Sequence, residues 1–179
     1  DEAYAEFAGQ NLIPLAMRSV NIVVTRTFSK AWGLAGLRLG YAVGPVGLIE
    51  RLQAQIGPFT VNALAMEAAL VALQQKDWLE RVMSDMRKEK ERLVKGLQAL
   101  GLDARGTVTN FVLVRLGKCA DTITAALADR GILIRNISYA HRPLHGFVRI
   151  TVGPSAATTL VLNVLTELLG GDRPCEGQR

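Results

Sequence analysis

Chemistry concentrates in the run Thr27-Phe28-Ser29-Lys30-Ala31-Trp32-Gly33-Leu34-Ala35-Gly36-Leu37-Arg38-Leu39-Gly40-Tyr41. A β-branched stretch, Val20 to Thr27, precedes it, so Lys30 falls just past the expected end of a strand. A lysine there has a short reach into a crevice, where desolvation and nearby cations can lower its pKa enough to make it a nucleophile. Thr27, Ser29 and Arg38 add two hydroxyls and a guanidinium, a set suited to the oxygens of a phosphate ester. Gly33, Gly36 and Gly40 allow close backbone approach. Taken singly, each of these residues reads better as part of a plain loop with an exposed lysine and a surface-paired arginine; the combination is what changes the reading.

Other reactive side chains point to less. His141 and His145 have the spacing of a helical zinc pair, but Pro143 and Gly146 break helical register and no third ligand is near, so no metal is expected. Cleft lining or plain loop remain for both. Cys119 and Cys175 stand far apart with no CxxC, which supports neither a zinc ribbon nor a redox motif and suits a reducing cytoplasm. Arg87-Lys88-Glu89-Lys90-Glu91-Arg92 mixes signs on a helical pattern and is expected as a solvated face with i,i+4 pairs.

The elements that must position these groups follow from periodicity. Val20 to Thr27 has the composition of a buried parallel strand, and Leu37 to Val43 is a second strand. From Val61 to Leu100 the pattern is helical, with Leu64, Ala68, Val71, Ala72, Leu79, Val82, Met83, Met86, Leu93 and Leu97 on the packed side and Gly101 at C′. Strands are expected at Phe111 to Leu116, Ile132 to Arg135 and Phe147 to Val152. Helices are expected at Asp121 to Arg130 and at Ser155 to Leu169, the latter N-capped by Ser155. Residues 1–57 then form an incomplete α/β piece, 58–101 a linking helical segment, 102–170 a small α+β domain and 171–179 a frayed tail.

The chain has 179 residues, is 49% hydrophobic and 21% charged, and carries a net charge of +5, a globular composition able to accept anionic partners. Its basic residues are too dispersed to indicate nucleic acid. The uncharged stretch Leu52 to Met66 is too short and too polar to cross a bilayer, and the opening Asp1-Glu2 is no secretory signal.

The Ser-Lys pair followed by Gly-Leu-Arg-Leu-Gly-Tyr resembles the active-site lysine segment of the fold-type I pyridoxal-phosphate-dependent aminotransferases. The opening Asp1-Glu2-Ala3-Tyr4 resembles the Asp-x-x-Tyr segment upstream of that lysine. Within the family the wording of these two segments, of Asn110-Phe111-Val112 and of Val148 to Gly153 looks most like the histidinol-phosphate aminotransferase subfamily. The resemblance reaches to about Leu169 and implies an α/β chain: the end of a large α/β domain, a long linking helix and a small α+β domain.

The resemblance also implies roles. Lys30 holds pyridoxal 5'-phosphate and moves a proton between the substrate and the cofactor. Asp1 keeps the pyridine nitrogen protonated, Tyr4 bonds the ring's phenolic oxygen, and Thr27, Ser29 and Arg38 grip the phosphate. Arg149 receives the substrate carboxylate, Arg135 is a second anion contact, and Asn110 begins a strand facing the cleft, where a turn role is equally open. Partners are then a small-molecule amino donor and a 2-oxo acid, with a homodimer for the full-length parent in the cytoplasm. A threonine-phosphate decarboxylase, an aspartate-type aminotransferase or a non-catalytic interaction fragment are the other readings. Members of the family have an upstream half that completes the site, so this chain is expected to be a fragment, weak or inactive alone.

Overall fold

The computed structural model describes residues 1–139 and 142–170; His141, Cys175 and the tail 171–179, for which expectations were stated above, lie outside the described residues. The chain divides into two compact units, Asp1–Met83 and Ser84–Arg179.

The first unit holds α1 (Ala5–Ala8), α2 (Ile13–Arg18), β1 (Val24–Thr27), a 3-10 turn (Ala35–Leu37), β2 (Gly40–Val43), α3 (Val46–Gln53), α4 (Ala63–Gln74) and the start of α5 (Lys76–Ala99). β1 and β2 pair antiparallel, Val24 opposite Val43 and Thr27 opposite Gly40. This corrects the expectation of a buried parallel strand. A parallel pair needs a crossover, usually a helix, and residues 28–39 contain only one 3-10 turn. Val20, expected in the strand, is 86% exposed, and within β1 only Val24 is buried.

The expected continuous helix is two helices. Gln75 leaves helical geometry at φ −95° and ψ 52°, and the Asn62 side chain caps α4 by accepting from the Ala65 N–H at 2.8 Å. The packed face of α4 is also displaced from the expected one. Ala65 and Ala69 are buried beside Phe28, Trp32 and Leu39, whereas Leu64 and Val71 are 80% and 57% exposed. Small side chains let the helix approach the lysine loop closely, and the larger apolar ones are left outside.

The second unit contains the rest of α5, then β3 (Asp103–Gly106), β4 (Phe111–Arg115), α6 (Ala120–Ala128), β5 (Arg135–Asn136), β6 (Phe147–Thr151) and α7 (Ser155–Gly170). Its sheet is antiparallel throughout, in the order β3-β4-β6-β5. Val112, Val114, Val148 and Ile150 alternate with outward residues and meet Leu93 and Leu97 of α5, Ile123 and Leu127 of α6, and Val164 and Leu165 of α7 in one core. Gly101 ends α5 at φ +77°, as expected of a C′ residue, and the Leu102 N–H reaches back to the Leu97 carbonyl at 3.2 Å.

Three local expectations are corrected in this unit. The strand at Ile132 to Arg135 shrinks to Arg135–Asn136, because Ile132 turns into the core. Ser155 is the first helical residue rather than the N-cap, and its Oγ accepts from Arg92 Nη1 at 3.0 Å. In the mixed-charge run the ion pairs are i,i+3: Lys88 with Asp85 at 3.6 Å and Arg92 with Glu89 at 3.1 Å. Lys90 is half-buried, donating to the carbonyls of Thr107, at 2.8 Å, and Thr109, so it fixes the turn that leads to Asn110. Burial, then the nearby Arg87 charge, lowers the Lys90 pKa. Among the described residues no helix is long and apolar enough to cross a membrane.

Gly146 is a stringent position in this unit. It sits at φ +78°, its carbonyl accepts from the N–H groups of Leu116 and Gly117, and a Cβ there would lie 2.7 Å from Gly117 Cα. Gly146→Ala is expected to destabilise the chain by about 2–4 kcal/mol, combining left-handed strain with backbone overlap. Urea denaturation checks this; an unchanged midpoint would contradict it.

Candidate active site

Two groups of candidate residues emerge, one in each unit. In the first, β1 delivers the chain into a compact loop. The Ser29 N–H donates to Thr27 Oγ1 at 3.1 Å, and the Thr27 hydroxyl donates to the Leu39 carbonyl at 3.4 Å. The Leu34 N–H closes the loop on the Phe28 carbonyl, and the Gly33 N–H closes a tighter turn on that of Lys30, both at 3.0 Å. Phe28 and Trp32 are buried and anchor the loop from below, while Lys30 is exposed between them. The described residues therefore do not desolvate Lys30, contrary to the crevice expected for it.

Arg38 adopts the left-handed region at φ 54°, and its Nη1 donates to the Ala35 carbonyl at 3.0 Å. One N–H thus holds the guanidinium, leaving others for an anion. The Lys30 amine lies 5.8 Å from the centroid of the Tyr4 ring, which joins the lysine loop to the opening segment of the chain. Asp1 uses one carboxylate oxygen to accept from the Ala3 N–H at 2.9 Å. A cavity of about 280 Å³ is bordered by Asp1, Tyr4, Gln10 and Leu12. A primary amine, a carboxylate, a phenol, two hydroxyls and a guanidinium are the donor set that a phosphorylated pyridine aldehyde needs.

The second unit holds Arg149, Arg135 and Asn110. Arg149 stands on β6 opposite Leu113 on one side and Arg135 on the other. Its neighbours Val148 and Ile150 face the core, so Arg149 belongs to the opposite face of the sheet. The guanidinium carbon is 4.1 Å from the centroid of the Phe111 ring, and its Nε is buried with no hydrogen-bond partner. Like charges directly opposed across strands are unfavourable. Arg149 and Arg135 thus stand opposed across two strands, one of them stacked on an aromatic ring with a buried Nε that has no partner. Asn110 immediately precedes β4, and its carbonyl accepts from the Val152 N–H at 2.8 Å.

Sequence reasoning passed over the residues that support these groups. Asp121 accepts from Asn136 Nδ2 at 2.6 Å and from the Tyr139 hydroxyl at 2.7 Å, and so holds the two-residue strand that carries Arg135. The bond to this carboxylate raises the Tyr139 pKa. Nothing in the spacing of these residues signals the network. Glu2 was visible only as a letter inside the Asp-x-x-Tyr motif, yet it is the one buried charged residue among those described.

A lysine loop closed under its own backbone, facing a tyrosine from an Asp-x-x-Tyr turn, matches the architecture of one family of enzymes. The chain belongs to the aminotransferase class I and II family, whose model matches residues 1–165. It is 41% identical over 170 residues to the histidinol-phosphate aminotransferase of Thermoanaerobacter pseudethanolicus, covering 94% of this chain and 48% of that one. Among solved structures it is similar to the histidinol-phosphate aminotransferase of Sinorhizobium meliloti in complex with pyridoxal-5'-phosphate. The TM-score is 0.85 and the identity 33%, over 93% of this chain and 47% of that one. It is also similar to the L-threonine-O-3-phosphate decarboxylase of Porphyromonas gingivalis, with TM-score 0.83 and 28% identity over 95% and 54% of the two chains. The chain spans about half the length of the curated relatives it matches.

Proposed function

We propose that this chain is the lysine-bearing part of a pyridoxal 5'-phosphate-dependent histidinol-phosphate aminotransferase. The reaction exchanges the amino group of histidinol phosphate with 2-oxoglutarate, giving imidazole acetol phosphate and glutamate. The observation that carries the reading is the approach of the Lys30 amine to the Tyr4 ring, which unites two motif segments distant in sequence.

The residues present fit the cofactor. Lys30 would hold it through its aldehyde, Asp1 would accept from the pyridine N–H, Tyr4 would donate to the ring oxygen, and Arg38 with Ser29 and Thr27 would bind the phosphate. To bind the phosphate, Thr27 would turn its single hydroxyl proton from the Leu39 carbonyl to the anion, keeping the bond it accepts from the Ser29 N–H. When bound, the cofactor supplies an electron-withdrawing ring that stabilises negative charge on the substrate carbon. Lys30 is the group that takes the proton from that carbon and returns it.

Arg149 and Arg135 bind the anionic end of each substrate: the carboxylate of glutamate in one half-reaction and the phosphate of histidinol phosphate in the other. Planar arginine suits both. Asn110 stands on the same sheet, and Lys90 holds its turn. The exposed apolar residues of α4, among them Leu64, Leu70 and Val71, support a homodimer in the complete protein. A soluble cytoplasmic enzyme is proposed with it.

The likeness to a threonine-phosphate decarboxylase favours one second reading, because a phosphate-binding arginine pair serves that substrate equally. Product analysis separates the two. Incubation of the complete protein with histidinol phosphate and 2-oxoglutarate is expected to yield glutamate; carbon dioxide from threonine phosphate, with no glutamate formed, would replace the first reading with the second.

A further inference from the structure

We propose that Glu2, clamped by Arg26, is the positioning residue that aims Asp1 and Tyr4 at the cofactor, an inference that rests on the reading of Asp1 and Tyr4 given above. Glu2 is only 8% exposed and all of its polar groups are engaged. Its N–H donates to the Thr25 carbonyl at 2.8 Å, and its own carbonyl accepts from the Ala5 N–H at 3.1 Å. Its Oε1 accepts from the Leu12 N–H at 2.7 Å, and its Oε2 accepts from Arg26 Nε and Nη2 at 3.0 and 2.8 Å. Arg26 Nη2 also donates to Asn11 Oδ1 at 3.0 Å. Burial acts against the Arg26 charge, but the bonds to Glu2 and Tyr41 outweigh it and raise the guanidinium's pKa.

This arrangement does more than add a contact. Residues 1–12 contain only the four-residue helix α1, which has too few hydrogen bonds to hold itself in place. The segment is fixed because one carboxylate grips both its far end, at Leu12, and the strand that leads to Lys30. Asp1 is bonded to Glu2, and Tyr4 follows two residues later, so their placement relative to β1 is set at Glu2. A charge buried this deeply cannot lose its partner without reorganisation, which makes the clamp rigid.

The test uses the 179-residue chain with Glu2→Gln, which keeps the size and the acceptor for Leu12 but removes the charge, and with Arg26→Lys, which keeps a cation for Glu2. Amide hydrogen exchange of the cofactor-free chain, pyridoxal 5'-phosphate affinity by visible absorbance, and the pH midpoint of that absorbance are read. For Glu2→Gln, exchange at Ala5 and Leu12 is expected to quicken and affinity to fall about tenfold or more. The pH midpoint is expected to shift by about one unit as Asp1 loses its aim at the ring. Arg26→Lys is expected to recover part of the affinity, and it decides the matter if Glu2→Gln fails to fold. Wild-type affinity and an unmoved pH midpoint in the folded variants would overturn the proposal, whatever happens to the melting temperature. A wild-type chain that takes up no cofactor would instead overturn the underlying reading, and this inference with it.

Discussion

Arg149→Met is expected to weaken binding of an anionic substrate group by about 10–100-fold while leaving the chain as stable as before or slightly more so. Charge-assisted bonds from a guanidinium contribute about 1.5–3 kcal/mol each. Arg149 is opposed to Arg135, and its buried Nε has no partner, both of which cost stability. Removing it relieves like-charge repulsion of about 0.2–1 kcal/mol and an orphaned donor of about 1–3 kcal/mol. The lost stacking on Phe111 opposes this by about 0.5–2 kcal/mol. Thermal melts with inorganic phosphate as ligand read both effects. Wild type is expected to melt higher as phosphate is added, by linkage, and the variant is expected to show no such rise. A variant that melts well below wild type and still responds to phosphate would make Arg149 a structural residue.

Lys30→Ala has the larger expected effect on chemistry. Without the amine there is no covalent attachment of pyridoxal 5'-phosphate, and loss of the proton carrier alone accounts for about 10²–10⁴-fold in rate. The same substitution is expected to change stability by no more than about 0.5 kcal/mol, because Lys30 is exposed and the bonds closing its loop are backbone bonds. Cofactor retained through gel filtration and the rate of the half-reaction with glutamate give the first part; a urea titration gives the second. In the complete protein, a variant as active as wild type would remove Lys30 from the mechanism.

Much of this is legible in the sequence. The alternation in β4 and β6, the Gly101 terminus of α5 and the lysine loop follow from local pattern, because each is specified by residues adjacent in sequence. β3 was not visible, since Asp103-Ala104-Arg105-Gly106 has no β-branched residue and becomes a strand only by pairing with β4. The break at Gln75 has no glycine or proline to announce it, and the packed face of α4 runs through its alanines rather than its leucines. The pairing direction of β1 and β2 depends on the connection between them, not on their composition.

The candidate site divides in the same way. Lys30, Tyr4 and Arg38 belong to motifs and could be named from the sequence, whereas the groups that hold such residues in place could not. Arg26 is far from Glu2 along the chain, and Lys90 lay within a charge run that reads as a solvent face. Such partners are chosen by the fold, and only the fold reveals them.

The most direct measurement is to incubate the wild-type chain with pyridoxal 5'-phosphate, reduce it with borohydride and map the modified peptide. One phosphopyridoxyl group is expected, on Lys30, and none in Lys30→Ala. Label spread over surface lysines, or the same peptide pattern in the variant, would contradict it.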